Sequence, residues 1–296
     1  MTNSSQDSTG DSQIKTLGLV AALSKPEAQE LALELRAFLE DRGVEVALES
    51  ALSPDAVNRV DAIIVLGGDG LMMRAAKAYP DVPLLGINFG NVGFLAHVER
   101  EDWQTALSSL LAGDCAIQES STLDATLETR KGPEPQGWAI NDVVIRSGVR
   151  MIDIEVYVNG YFVNTYPGDG MIVATSRGST AYCMAAGGPI LTTGVQGFAI
   201  VPISCHSPIR TPLVVEESAQ IDLLFNSRHD GSLILDGRVT SELAPEDVVA
   251  VRLGQHKCKL ISVSSTDFYE AFRTKFNFRI RPDAAPSRLP SARTKG

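Results

Sequence analysis

The chain has 296 residues, 44% of them hydrophobic, and a formal net charge of −10. That is enough apolar material for one or two packed domains, and two is the expectation. The acidic balance argues against nonspecific nucleic-acid binding, because phosphate backbones are held mainly by Lys and Arg. The longest apolar runs are of strand length and too short to span a bilayer.

The first 12 residues are polar and lack the basic start and apolar core of a secretory signal, so they are expected to form a disordered leader. Residues 14–20 read as a strand. Residues 25–41 carry the apolar spacing of an amphipathic helix ending at Gly43, and 44–48 read as a second strand. A largely apolar run at 61–66 then enters Gly67-Gly68-Asp69-Gly70, with a helix expected over 71–79 and a strand over 83–87. This alternation predicts an open parallel sheet of Rossmann-like type, with helices on its faces, over residues 13–118.

After a helical stretch at 101–112 the texture changes. Strand candidates follow at 122–129, 138–147, 151–158, 161–166, 171–174, 198–202, 220–225, 232–235 and 248–253, with Asn159-Gly160 as a two-residue hairpin signal. Strands so closely spaced predict a second, β-rich and sandwich-like domain over 119–265. The expected fold class is therefore α/β plus all-β. The tail at 281–296, rich in Pro, Ala, Ser and Arg, is expected to stay disordered.

Cys115, Cys183, Cys205 and Cys258 are far apart without CxxC spacing, which argues against a zinc site or a disulfide framework. Free thiols suit a cytoplasmic location. His97, His206, His229 and His256 show no metal-ligand spacing, so no site for a metal held by the protein alone is expected. His206 beside Cys205 does not make a nucleophilic pair, since neighbouring residues rarely present both side chains to one atom. Trp103 and Trp138 are expected to pack.

Chemistry concentrates in three segments. The turn Gly67-Gly68-Asp69-Gly70 lies between a buried strand and a helix, where ligands of open α/β sheets bind. Glycines there admit a phosphate close to the backbone, helix N-terminal N–H groups attract its charge, and an Asp can accept a proton. The plainer alternative is a tight turn with Asp69 capping the helix. The second segment runs from Gly168-Asp169-Gly170 through Thr175-Ser176-Arg177-Gly178-Ser179-Thr180-Ala181-Tyr182 to Gly187-Gly188-Pro189. Its hydroxyls and glycines suit a polar ligand, and the Tyr182 ring can stack on a base or bond a ribose. The third is Asn141-Asp142, whose side chains can bond an adenine edge and a ribose hydroxyl. Taken alone it reads first as a turn before a strand.

Together these segments resemble the NAD kinase family, which has a GGDG turn, an Asn-Asp or Asn-Glu pair, and a stretch of the form DG-x-x-x-[ST]-[ST]-P-[ST]-G-[ST]-T-A-Y followed by Gly-Gly-Pro. Residues 86–95, Pro212-Leu213-Val214-Val215, Leu235-Asp236-Gly237 and the segment 268–275 are similar to further blocks, so the likeness runs from about residue 14 to 278. The resemblance implies that residues 266–280 return to the first domain. It implies that Asp69 removes the proton from the adenosine-ribose 2′-hydroxyl of NAD as that oxygen attacks the terminal phosphate of ATP or polyphosphate. Gly67, Gly68 and Gly70 would shape the phosphate site, Asn141 and Asp142 would hold NAD, and Asp169 would lie near its nicotinamide end. Thr180, Ala181 and Tyr182 would line the dinucleotide pocket. A divalent cation, Mg²⁺ by expectation, and a homodimer or homotetramer are also implied.

Two departures from the family pattern stand out. Leu71 follows the GGDG turn where a small polar residue is usual, and Arg177 replaces a small residue in the glycine-rich stretch. Arg177 is a candidate to grip a phosphate or to crowd the adenine pocket. Arg74 and Arg146 are further candidates for neutralising donor phosphates, beside a reading of each as a solvated surface group. Two other functions are compatible with parts of the sequence. One is a lipid or sugar kinase, since diacylglycerol kinases and phosphofructokinases resemble the chain at the GGDG turn alone. The other is a noncatalytic sensor of NAD or NADP.

Overall fold

The computed structural model describes residues 14–52, 59–89, 95–96, 98–192, 194–208 and 210–263. The leader, the segment at 266–280, the tail, residues 90–94 of the block after the GGDG helix, and His97 lie outside the described residues.

Strands β1 (Thr16–Ala21), β2 (Glu45–Leu48), β3 (Ala62–Gly67) and β4 (Leu84–Asn88) pair in parallel in the order β2-β1-β3-β4. Every residue of β3 and β4 is buried, as expected for strands covered on both faces. Helix α1 (Pro26–Glu40) starts with Pro, whose fixed φ suits a first helical position, and buries Ala28, Leu31, Leu35 and Leu39 along one stripe. It covers the sheet face that carries Leu17, Leu19, Ile64 and Leu66. Burying side chains of this kind stabilises the layer by roughly 1.5–3 kcal/mol each.

Helix α2 (Asp69–Ala78) begins two residues earlier than the sequence suggests. The extended Gly68 is its N-cap and accepts from Leu71 N and Met72 N, so Asp69 and Gly70 form the first helical turn. Met72, Ala75 and Ala76 pack against the sheet face bearing Ile63, Val65 and Leu84. Helix α3 (Trp103–Ala112) ends at Gly113, whose φ of 77° gives the left-handed close that glycine permits.

The sheet then continues with antiparallel strands. Strand β16 (Val248–Ser262) runs parallel to β4, with Leu260 opposite Leu84, and pairs antiparallel with β5 (Ala116–Thr129), which carries the edge strand β6 (Gly132–Ala139). Beyond β16 come β13 (Ile221–Phe225), β8 (Ile152–Val158) and β9 (Tyr161–Gly168). Strands β8 and β9 turn at Asn159 and Gly160, whose φ values of 53° and 78° both lie in the left-handed region the hairpin signal requires.

A second, antiparallel sheet runs β12-β11-β10-β7-β14-β15, formed by Leu213–Glu216, Gly197–Ile203, Gly170–Ala174, Asp142–Ser147, Gly231–Leu235 and Arg238–Leu243. Its inner face shares one apolar core with the first sheet, Val143, Met171, Phe198 and Leu233 meeting Leu123, Ile154, Leu223 and Val249. This is the expected sandwich. The outer face of β10 is covered by Cys183, from the short helix α4 (Tyr182–Ala185), and by Leu191.

Two expectations are corrected. The run at 138–147 is two strands, broken at Ile140-Asn141, and the strand expected at 248–253 continues to Ser262 through a register shift after Leu253. Both changes matter for the site.

Candidate active site

The carboxyl ends of β3 and β4 open onto a cavity of about 660 Å³. One face of α2 forms its floor, with Asp69, Gly70, Met73, Arg74 and Lys77 spaced three and four apart and therefore stacked on one side of the helix. The Asp69 carboxylate does not cap its helix. It accepts from Leu95 N at 3.0 Å and Ala96 N at 3.5 Å, which ties it to the chain beyond β4. Placed in the first turn, it also lies where a negative charge is favoured by the helix dipole.

The opposite wall comes from the sandwich. The gap between β6 and β7 presents Asn141, and the loop after β10 presents Arg177, Thr180 and Ala181. The two are locked together by backbone. Thr175 N donates to Asn141 O at 2.9 Å, Thr175 Oγ1 donates to Ile140 O at 2.7 Å, and Gly178 N donates back to Thr175 Oγ1 at 3.0 Å. Arg177 lies over β5, its Nε donating to Ser120 Oγ at 3.0 Å.

The third wall is the β14–β15 turn, with Asp236 and Arg238. Asp236 Oδ1 accepts from Asn141 N at 2.7 Å and Asp142 N at 3.2 Å, while Oδ2 accepts from Ile140 N at 2.9 Å and from Lys77 Nζ at 2.9 Å. Lys77 Nζ also donates to Trp138 O at 2.7 Å. Beneath this cluster Asp142 is buried, and burial, followed by the nearby Asp236 charge, pushes its carboxyl up to about 7 against the pull of Lys77.

Of the residues singled out in the sequence, Asp69, Gly70, Asn141, Arg177, Thr180 and Ala181 meet in this cavity. Gly67 closes β3 beneath it, where an added Cβ would sit 2.6 Å from Leu71 Cδ2. Asp142 lies just behind the wall. Asp169 and Tyr182 do not line the cavity. Asp169 sits in the turn between β9 and β10, donating to Ile203 O and accepting from Ser147 N, and Arg146 lies 5.9 Å from the Tyr182 ring centroid. Arg74 does line the cavity, paired with Glu49 at 2.6 Å, whereas Arg146 does not. Lys77 and Arg238 are additions. Nothing local marks either one, since a charged side chain at such a point reads as a solvated face.

The parallel strands, through the glycine-bounded helix, and the β-sandwich thus bring the GGDG carboxylate and the glycine-rich loop to one cleft. The family of the chain follows from comparison with known proteins. The ATP-NAD kinase N-terminal domain matches residues 49–115, and the ATP-NAD kinase C-terminal domain matches residues 140–263. The second match takes in the block from Asp169 to Tyr182, which is not part of the likeness to lipid and sugar kinases. The NAD kinase of Thermomicrobium roseum is 53% identical over 274 residues, spanning 93% of this chain and 95% of its own. The NAD kinase of Geobacter metallireducens is 34% identical over 280 residues, spanning 90% and 99%. Among solved structures, yeast NADH kinase complexed with NADH gives a TM-score of 0.83 at 18% identity, covering 94% of this chain and 91% of that one. An NAD kinase from Archaeoglobus fulgidus in complex with ATP gives 0.70 at 23%, covering 89% and 98%. At these identities the structural likeness is one of fold. The chain belongs to the NAD kinase family and is a phosphotransferase with an alcohol acceptor.

Proposed function

We propose that the cavity transfers the terminal phosphate of ATP to the 2′-hydroxyl of the adenosine ribose of NAD, with Asp69 as the base. The observation that carries this reading is that Asp69, at the start of α2, and Asn141, in the break between β6 and β7, line one cavity. Asn141, Thr180 and Ala181 bind the adenosine end, and the Asp69 carboxylate takes the hydroxyl proton late, as the oxygen bonds to phosphorus. Phosphoryl transfer needs positioning and charge neutralisation more than covalent help. Arg74, Arg177 and Arg238, all on the cavity wall, supply cationic charge for the donor phosphates.

Among the described residues no group of three or more His, Cys, Asp and Glu could hold a metal ion. The oxygen ligands available, Asp69 and Asn141, suit a Mg²⁺ that arrives on the donor phosphates and keeps several waters. When bound, that ion would neutralise developing charge on the transferred group. We place Asp169 and Tyr182 at the far end of the dinucleotide. Their location outside the cavity is compatible with a ligand longer than the adenosine it encloses. Self-association to a homodimer or homotetramer is part of the reading. It is supported by the β9 edge, where Tyr161 and Phe162 are 78% and 56% exposed. No helix among the described residues is long and apolar enough to cross a membrane, and four free cysteines favour the cytoplasm.

The test is a donor and acceptor panel with purified protein and Mg²⁺. NAD with ATP is expected to give NADP, and Asp69→Asn to lower kcat by about 10²- to 10⁴-fold. Phosphorylation of a lipid or sugar instead, binding of NAD without turnover on any donor, or full activity in the Asn variant would each defeat the proposal.

A further inference from the structure

The β14–β15 turn carries more charge chemistry than a hairpin needs. Leu235 and Arg238 pair across it, and Asp236 and Gly237 have φ values of 47° and 77°, the conformation of a two-residue turn. Asn-Gly satisfies such a turn at least as well as Asp-Gly. What Asn cannot do is accept from all four donors that surround Asp236. Three are the consecutive backbone N–H groups of Ile140, Asn141 and Asp142, and the fourth is Lys77 Nζ. An amide would turn an N–H₂ group toward one of these donors. The Asp236 side chain is only 6% exposed, so a lost partner there is costly.

Lys77 makes the arrangement asymmetric in a useful way. It belongs to α2, eight residues after Asp69, or about 12 Å along one rigid helix. Its ammonium reaches across the cavity to the carboxylate that holds the Asn141 backbone, and to Trp138 O at the end of β6. The base, on α2, and the wall that binds the acceptor, at the β6–β7 break, are far apart in sequence, and this clasp fixes one against the other. Leu95 N, on the Asp69 carboxylate, holds the opposite end of the helix face.

We propose that Lys77 and Asp236 are positioning residues that clasp the Ile140–Asp142 backbone to helix α2, and so set the separation between the Asn141 side chain and the Asp69 carboxylate. The inference rests on the proposed roles of Asp69 as base and Asn141 as adenosine ligand. A clasp of this kind acts on alignment. Adenosine still binds when it is cut, but the hydroxyl no longer meets the base, and misplacement by about 1 Å costs on the order of 10²-fold in rate.

The experiment compares Lys77→Met, Lys77→Arg and Asp236→Asn with the parent chain, by steady-state kinetics, NAD calorimetry and thermal melting. Lys77→Met is expected to lose about 10²-fold in kcat while its Kd for NAD changes by less than about threefold. Lys77→Arg, which keeps donors for both Asp236 and Trp138 O, is expected to regain most of the loss. Combining Lys77→Met with Asp236→Asn is expected to be little worse than Asp236→Asn alone, the non-additivity of a shared interaction. Four results would overturn the clasp. They are an unchanged kcat in Lys77→Met, a loss confined to the KM for ATP, a joint fall of kcat and NAD affinity that follows melting temperature, and no recovery in the Arg variant. Should the parent chain make no NADP, the functional assignment fails instead, so the two failures are distinct.

Discussion

Gly178 lies directly on the backbone of Asn141. A Cβ added at Gly178 would overlap the Asn141 carbonyl oxygen and come within 2.7 Å of its Cα. The φ of Gly178 is not in the left-handed region, so the requirement is for space, not for an unusual dihedral. The contact joins the loop that carries Thr180 and Ala181 to the break that presents Asn141, and both form one wall of the cavity. Gly178→Ala is therefore expected to destabilise the fold by about 1–3 kcal/mol and to raise the KM for NAD more than that for ATP. Urea unfolding and paired KM measurements check it; an Ala variant with both values unaltered would mean that the loop moves aside at no cost.

Asp142 predicts a pH dependence of stability. Its carboxyl, at 3.8 in a free side chain, is raised to about 7, first by burial and then by Asp236. A raised carboxyl is protonated more readily in the folded chain than in the unfolded one. Its stabilising contribution is therefore complete below the unfolded value and is lost as pH rises through about 7. At about 1.4 kcal/mol per pH unit, the loss is on the order of 4 kcal/mol. Asp142→Asn removes that titration. Its stability relative to the parent is expected to be markedly higher at pH 8 than at pH 5, even if NAD turnover falls. Denaturant midpoints at the two pH values decide the matter, and an equal difference at both would show that Asp142 does not carry the effect.

Arg177 departs from the family pattern, and its location assigns it a direction. Its Nε is held by Ser120 Oγ on β5, and the residue lines the same cavity as Asp69, Arg74 and Arg238. Arg177→Ser is expected to raise the KM for ATP about tenfold, the value of one charge-assisted hydrogen bond, and to leave the KM for NAD nearly unchanged. A lower KM for NAD, with ATP unaffected, would instead identify Arg177 as an obstruction in the adenosine pocket.

How much of the fold and site was legible in the sequence depends on the range of the interactions. The β3–α2 junction, the Asn159-Gly160 hairpin and the loop from Thr175 to Ala181 are local, and residue type at fixed spacing specifies them. The break at Ile140-Asn141 is not local. No Gly or Pro marks it, because the backbone there is drawn out of the strand by Asp236 and Thr175, which are distant in sequence. The extension of β16 was hidden for a related reason. Gly254 interrupts the apolar pattern where the strand shifts register, and it approaches Thr122 too closely for any side chain. Lys77 shows the same limit, since a lysine at that point of an amphipathic helix reads as a solvated face until its partner is known.

Leu71, the other departure, tests whether the usual residue after the GGDG turn touches donor phosphate. In this chain the Leu71 side chain folds back onto Gly67 and packs at the margin of the cluster formed by Ile63, Val65 and Met72. It does not line the cavity. Replacing it with Thr removes partly buried carbon and gives a hydroxyl at the third position of α2, beside helix N–H groups that attract phosphate. If the donor lies against Arg74, Arg177 and Arg238, that hydroxyl contributes little. Leu71→Thr should then lose about 1–2 kcal/mol of stability, less than a fully buried truncation costs, with the KM for ATP within about twofold of the parent. A tenfold lower KM for ATP would place the donor phosphates at the helix N-terminus itself, so that the N–H groups of α2, and not the three arginines, would be what holds them.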